Sequence, residues 1–321
     1  MIEKVSMNWW IRLAAVYFIV AGCNILASPR LSAYATADSQ QVAAKLEKDK
    51  VVVTIGSELF TCYKFSPSQK YPYFWPVNGP ASGQSITTET SQPYPHHHSL
   101  FFGCDRINGG NYWQQENEHG QIVSLGPKII EDSNNRVVFI DKCFWQQAGK
   151  DPIILDLRRI VITALSENLR FVDFEISLQP LTDILILKTN HSLFSARVVP
   201  ELSVKSGGTL VNAEGKSGEK ETFGVASPWC DYSGTRNGIT EGIAILQRPD
   251  NRWFPCKWFT RDYGFFSPTP MFWLEDDQLE LPKGEKLTLR YRVVIHRGNA
   301  KAADIDGLFK QYKNEILNSK S

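Results

Sequence analysis

Three adjacent histidines set the first question of chemistry. His96, His97 and His98 stand in "QPYPHHHSLFFGCDRINGGNYWQ", and the whole chain has six histidines. Imidazole titrates nearer neutrality than any other side chain, so it can serve as acid, base or metal ligand. Pro93 and Pro95 bias the segment to extended backbone. An extended run turns His96 and His98 to one face and His97 to the other. An HxH pair of this kind suits a divalent metal, with His96, His98 and His191 as ligands and one position left open. The same residues also suit a solvated loop, or one satisfied buried imidazole. Asp105, Arg106 and Asn108 follow closely, and Asp105 can orient an imidazole through its second ring nitrogen.

Three further segments carry chemistry-bearing residues. "NHSLFSARVVPELS" holds His191, Arg197 and Glu201, where Arg197 and Glu201 suit ligand recognition, acid–base work or a structural ion pair. "GVASPWCDYSG" sets Trp229 and Tyr232 on either side of Asp231, an aromatic platform beside a carboxylate or a turn with a packing tryptophan. "NRWFPCKWFTRDYGFF" crowds Trp253, Trp258, Arg261, Asp262 and Tyr263 together, as a concave polar-ligand site does. His296 falls in an alternating run and reads as structural. No G-x-S-x-G elbow, P-loop or dinucleotide fingerprint occurs.

The elements that must position these residues are strands. "KVVVTIGSELFTCYKF" reads as two strands about a Gly-Ser turn. "RVVFIDKCFWQQ" and "DLRRIVITALSENLRFVDFEISLQP" alternate apolar and polar residues, the second about a turn at Ser166-Glu167-Asn168. "DILILK", "GIAILQR" and "KLTLRYRVVIH" continue the pattern. One amphipathic helix closes the chain, with Ile305, Leu308, Phe309, Tyr312 and Ile316 on one face and Asp304 as N-cap. The expected fold is all-β, a large antiparallel β-sandwich with this helix packed on it. The segments 76–98 and 201–239 read as long loops, where function often resides.

Composition narrows the class. With 42% hydrophobic and 21% charged residues the chain can bury a core, and its net charge of +1 offers no footprint for nucleic acid. Lys4 and Arg12 precede an apolar run, "LAAVYFIVAGCNILA", too short for a membrane span and right for a signal segment. Cleavage is expected either before Cys23, as in a lipoprotein, or after Ala35, with an uncleaved membrane anchor as the third reading. Either exit exports the rest of the chain to periplasm, cell exterior or a lipid-anchored place on the envelope. The division is then a signal segment 1–35, a linker 36–50 and one domain 51–321. Cys62, Cys104, Cys143, Cys230 and Cys256 remain after cleavage, an odd number, so at least one stays unpaired or pairs between chains.

"PHHHSLFFGCDRINGGNYW", "NHSLFSARVVPELS", "GVASPWCDYSG", "GIAILQRPDN", "WFTRDYGFF" and "LRYRVVIHRG" together resemble the PmoA-like family, bacterial secreted proteins catalogued under the label "methane oxygenase PmoA". The resemblance runs from about Val51 to the end, with the blocks in order. His97, His191, Asp231 and Arg261 match its pattern, while Pro93-Tyr94, His98 and Cys104 depart from it. It implies a soluble sandwich similar to those of sugar mutarotases and polysaccharide-processing enzymes.

Three functional expectations follow. In the first, an exported carbohydrate-active enzyme uses His97 and His191 as acid and base, tuned by Asp231 or Asp105. Asn108 and Arg261 hold substrate groups, and Trp229 or Tyr232 stacks on the sugar. Hydrolysis would need two facing carboxylates, for which Glu201 and Asp231 are the candidates. In the second, His96, His98 and His191 bind a metal. In the third, a glycan-binding or envelope protein uses the aromatics with no proton transfer.

Overall fold

The computed structural model describes residues 40–114 and 116–319. The expected signal segment, with its exits at Cys23 and Ala35, lies outside the described residues. In chain order the first strands are β1 (Val42–Leu46), β2 (Lys50–Ile55), β3 (Glu58–Lys64), β4 (Tyr73–Val77), β5 (Leu100–Cys104), β6 (Gln121–Ser124) and β7 (Lys128–Ser133). Next come β8 (Arg136–Gln146), β9 (Ile154–Ser166), β10 (Leu169–Pro180), β11 (Ile184–Leu187), β12 (Ser192–Arg197) and β13 (Thr209–Asn212). A short helix α1 (Gly218–Thr222) precedes β14 (Trp229–Arg236), β15 (Ile239–Gln247), β16 (Trp258–Arg261), β17 (Phe265–Pro268), β18 (Gln278–Leu281) and β19 (Leu287–Arg297). Helix α2 (Ile305–Ser319) ends the fold.

Two antiparallel sheets form the expected sandwich. One has eight strands in the order β1-β2-β3-β4-β5-β12-β17-β16; the other runs β13-β14-β15-β19-β10-β9-β8-β6, with β7 also on β8. Period-2 alternation places Phe74 (β4), Phe102 (β5), Phe194 (β12) and Phe266 (β17) on the inner face of the first sheet. Phe74, Phe102 and Phe194 meet Phe174 of the second sheet, Phe194 stacks at 4.8 Å on both Phe174 and Tyr291, and Phe266 meets Tyr232 at 5.6 Å. The next residues along, Tyr73, Phe101, Arg197 and Phe265, therefore face outward. Loops 78–99 and 105–120 cover that outer face, and the candidate site is built there.

Buried polar ties cross the core. Tyr63 Oη donates to Asp141 at 2.8 Å, joining β3 to β8. The Arg158 fork donates to both oxygens of Asp156 at 2.9 Å, and Trp145 Nε1 donates to the same carboxylate at 2.7 Å. On the far side of the second sheet, α2 covers a smaller apolar patch containing Phe171, Trp229, Ala244 and Val294, using Ile305, Leu308 and Tyr312. Phe309 packs at its edge; Ile316 lies outside the residues whose side chains are described. Asp304 caps the helix by accepting from the Gly307 amide at 3.2 Å. Arg292 fastens it, bonded to Asp173 and Glu315 at 2.6 to 3.0 Å between the rings of Phe171 and Tyr312.

Two boundaries differ from expectation. Val42–Leu46, placed in a linker, is strand β1, paired residue for residue with Val51–Ile55. The supposed loop 201–239 contains β13, α1 and β14. β14 hid because Asp231, Ser233 and Gly234 interrupt its apolar pattern. The five cysteines Cys62, Cys104, Cys143, Cys230 and Cys256 are all free and buried, so packing supplies the stability here.

Asp156→Ala is expected to leave Arg158 charged and unpaired in the core, and to cost about 3–5 kcal/mol of unfolding free energy. Urea unfolding measures this; a loss under about 1 kcal/mol would show that the ion pair is dispensable.

Candidate active site

Strand pairing gathers the site from distant parts of the chain. β5 and β12 run antiparallel with Ser192 opposite Cys104, and the ladder continues one step as the Asp105 amide donates to the His191 carbonyl at 3.0 Å. This places the two side chains together, with His191 Nδ1 donating to Asp105 Oδ2 at 3.1 Å. The carboxylate fixes the tautomer and leaves Nε2 as the free ring nitrogen. β12 also pairs with β17, setting Arg197 opposite Phe265, and the β16–β17 hairpin sets Arg261 opposite Phe265. The histidine loop lies over this platform: His97 stacks on Phe265 at 4.4 Å and on Tyr94 at 5.2 Å. Tyr71 Oη holds the loop from beneath, donating to the His96 carbonyl at 2.6 Å.

The result is a pocket of about 120 Å³ lined by Tyr94, His97, Asn190, His191, Phe259, Arg261, Tyr263 and Phe265. His96 stands at its side, edge-on to His97 at 4.5 Å and to His191 at 5.7 Å. Arg261 is held flat against Phe259 and Phe223 at 4.1 and 4.6 Å, and tethered to Glu219 at 3.0 Å. Unsatisfied polar atoms concentrate here. Among the described residues, His96 Nε2, His97 Nδ1, Asp105 Oδ1, Trp113 Nε1 and Arg197 Nε and Nη1 are buried without a hydrogen-bond partner. Buried polar atoms are normally paired, so such a concentration marks a place prepared for a polar ligand or ordered water.

Burial keeps two of the imidazoles neutral. It pulls His96 down to about 4, with His191 and His98 adding to the effect. It pushes His97 lower still, helped by His96 and the Arg197 charge. His97 is thus a neutral hydrogen-bonding group, whereas His191, backed by Asp105, is the ring arranged to move a proton.

Several expected site residues lie elsewhere. His98 turns away from His96: its Nδ1 donates to the Glu89 carbonyl at 2.6 Å and its ring stacks on Tyr73 at 4.8 Å. The segment is a turn rather than an extended strand, so His96, His98 and His191 do not converge as a ligand set. No group of three or more metal-binding side chains occurs among the described residues. Asn108 is exposed, and ties the loop to β11 through the Leu185 amide at 2.7 Å and the Asp183 carbonyl at 2.9 Å. Tyr232 is a core residue whose hydroxyl donates to the Arg261 carbonyl at 2.9 Å, so it supports the site without lining it.

Asp231 and Trp229 sit on the opposite outer face, under α2. Asp231 and His296 are fully buried, and His296 Nε2 donates to Asp231 at 2.6 Å. The His296 ring lies across Gly242 of the intervening strand, where an added Cβ would stand 2.5 Å from its Cε1. Trp229 borders a larger cavity of about 390 Å³ between β13, β14 and the start of α2. That cavity carries no histidine, whereas His97 and His191 both line the smaller pocket. Glu201 is exposed, so it and Asp231 do not form the facing pair that glycoside hydrolysis uses. Of the residues lining the pocket, Tyr94, Asn190, Phe259 and Phe265 went unrecognised in the sequence. Apolar and turn residues there carry no signal beyond their nearness to His97, His191 and Arg261.

The family model described as "Family of unknown function (DUF6807)" matches residues 50–310. The chain belongs to the DUF6807 family. No curated protein matches it in sequence. Among solved structures, this DUF6807 chain is similar to the galactose 1-epimerase from Lactobacillus acidophilus NCFM, with 10% identity and a TM-score of 0.39, over 82% of this chain and 99% of that one. It is also similar to a galactose mutarotase related enzyme from Lactobacillus acidophilus, at 8% identity and a TM-score of 0.31, over 79% and 97% of the two chains. An alpha-galactosidase from Lactobacillus brevis matches at 7% identity and a TM-score of 0.36, over 83% of this chain and 40% of that one.

The depressed histidines make stability depend on pH. Both have folded pKa values below the ordinary 6.5, so the unfolded chain takes up protons first as the pH falls. The stability they confer is complete above pH 6.5; the His96 share drains away between 6.5 and about 4, and the His97 share goes on draining below that. A His96→Gln, His97→Gln double variant should lose less stability across that interval than the native chain. Urea midpoints at both ends measure it, and equal losses would show that these rings do not titrate with unfolding.

Proposed function

We propose that this chain is an exported carbohydrate-active enzyme that moves a proton on a single sugar ring, by histidine acid–base chemistry. The observation that carries this reading is the meeting of His97 with the His191–Asp105 pair in one small pocket. His191 takes or gives the proton through Nε2, with Asp105 holding the ring in one tautomer and supporting the charge that develops. His97, kept neutral, holds the reacting hydroxyl or carbonyl oxygen in line.

The walls support a sugar ring as the ligand. Tyr94 and Tyr263 pack on each other at 5.0 Å and give the pocket an aromatic wall for C–H groups, and Asn190 and Arg261 offer donors to hydroxyls. At about 120 Å³ the pocket is small, which favours one ring or the end of a chain over a polymer segment. Proton transfer of this kind serves epimerisation or elimination. Export rests on the charged and apolar segment at the start of the sequence.

His191→Asn is expected to slow turnover by about 100-fold or more while changing ligand affinity only a few-fold. The assay follows anomer exchange and C–H deuteration of free monosaccharides in D₂O by proton NMR, with affinity from calorimetry. Sugars that bind the native chain yet undergo neither exchange nor deuteration would remove the catalytic reading and leave a binding protein.

A further inference from the structure

The four buried arginines are not treated alike. Arg158 is paired with Asp156, and Arg292 with Asp173 and Glu315. Arg170 donates to the Asn78 carbonyl at 2.8 Å and feels the charge of Glu241. Arg197, only 3% exposed, has no carboxylate within 4.0 Å among the described residues, and the groups that favour its charge are the phenols Tyr263, Tyr232 and Tyr94. Its one side-chain hydrogen bond among the described residues is a long one, 3.5 Å from Nη2 to Ser91 Oγ; Nε and Nη1 have no partner among them. The Tyr263 ring lies 4.3 Å from the guanidinium, a cation–π contact that satisfies the face of the group but none of its N–H donors.

This uncompensated cation adjoins the pocket. Arg197 is opposite Phe265 in the ladder, under Tyr263 and beside Tyr94, and all three aromatics line the cavity. Its charge reaches His97. The other cation of the pocket, Arg261, already has Glu219. A buried guanidinium is retained where something pairs with it, and its planar fork matches a carboxylate. On the surface side, Ser91 and Tyr94 belong to an exposed turn, with Tyr94 37% exposed, so a ligand group can reach Arg197 by displacing a weak hydroxyl contact rather than the core.

We propose that the substrate is an acidic sugar, a uronate or the uronate end of a glycan, whose carboxylate pairs with Arg197 between the Ser91–Tyr94 turn and Tyr263. This rests on the sugar reading above, and names the class of sugar. The ring then lies toward His97 and His191, and the carboxylate supplies the counter-charge that the protein withholds.

The test is calorimetric binding of D-galacturonate and D-glucuronate against D-galactose and D-glucose, with glucose 6-phosphate alongside, to the native chain and to Arg197→Met and Arg197→Lys. The expected result is at least tenfold tighter binding of one uronate than of its neutral sugar. The preference should weaken with added salt, vanish in Arg197→Met and survive in part in Arg197→Lys. Neutral sugars bound as tightly as uronates by the native chain would overturn the acidic-sugar inference and leave the sugar reading standing. So would tighter binding of the phosphate than of either uronate, or a uronate preference unchanged in a folded Arg197→Met. No binding of any sugar at millimolar concentration would overturn the sugar reading itself. The comparison on the native chain decides even if a variant fails to fold.

Discussion

The pairing of β5 with β12 is the constraint on which the site depends. Residues 105 and 191 are far apart in the chain, and only the antiparallel ladder makes them neighbours. One face of that ladder supplies Phe102 and Phe194 to the core. The other supplies Phe101 and Arg197 to the floor of the loops. Because the strand period is two, the core-facing and site-facing residues cannot be chosen independently. A slip of one residue would carry Arg197 into the sandwich and Phe194 out of it. The apolar core therefore holds the register of the polar site, which explains how loops without a disulfide among the described residues keep histidine, carboxylate and guanidinium in place.

Much of this was legible in the sequence, for identifiable reasons. The long strands β8, β9, β10 and β19 alternate over part of their length, where one face meets the other sheet and the opposite face is left more open. α2 showed its apolar stripe because it covers only one patch of a sheet. β1 was missed: it is short, polar at one end and at an edge. β14 was missed because Asp231 looks like a loop residue until His296, sixty-five positions away, is known to answer it.

The site was legible in part, and the failures share a cause. His97, His191 and Asp105 stand out by type and by lying between strands, and Arg261 by type among the aromatics at the end of β16. Trp229, Tyr232 and Asp231 have the same types and similar surroundings, yet two face α2 and one faces the core. Residue type tells what a side chain can do, and only the ladder tells which side of the sheet it does it on. His98 was misjudged for a related reason. Its partner is a backbone carbonyl in a turn, and backbone acceptors leave no trace in a sequence. The sequence offers Glu201 as an ion-pair partner for Arg197, but Glu201 is exposed and no carboxylate lies within 4.0 Å of Arg197 among the described residues. The absence of that partner turned out to be its most informative property.

The bond between His296 and Asp231 crosses an intervening strand only because Gly242 has no side chain. The three positions consequently behave as one heritable character. A side chain at 242 evicts the imidazole; loss of the imidazole strands a carboxylate in an apolar layer; loss of the carboxylate strands the imidazole. Each single step passes through a damaged intermediate, so a lineage must keep all three or exchange all three. Among relatives of this chain, glycine at the position of Gly242 should therefore report the histidine and aspartate at the other two. That gives an internal check on any alignment of these strands, independent of the residues that surround the pocket.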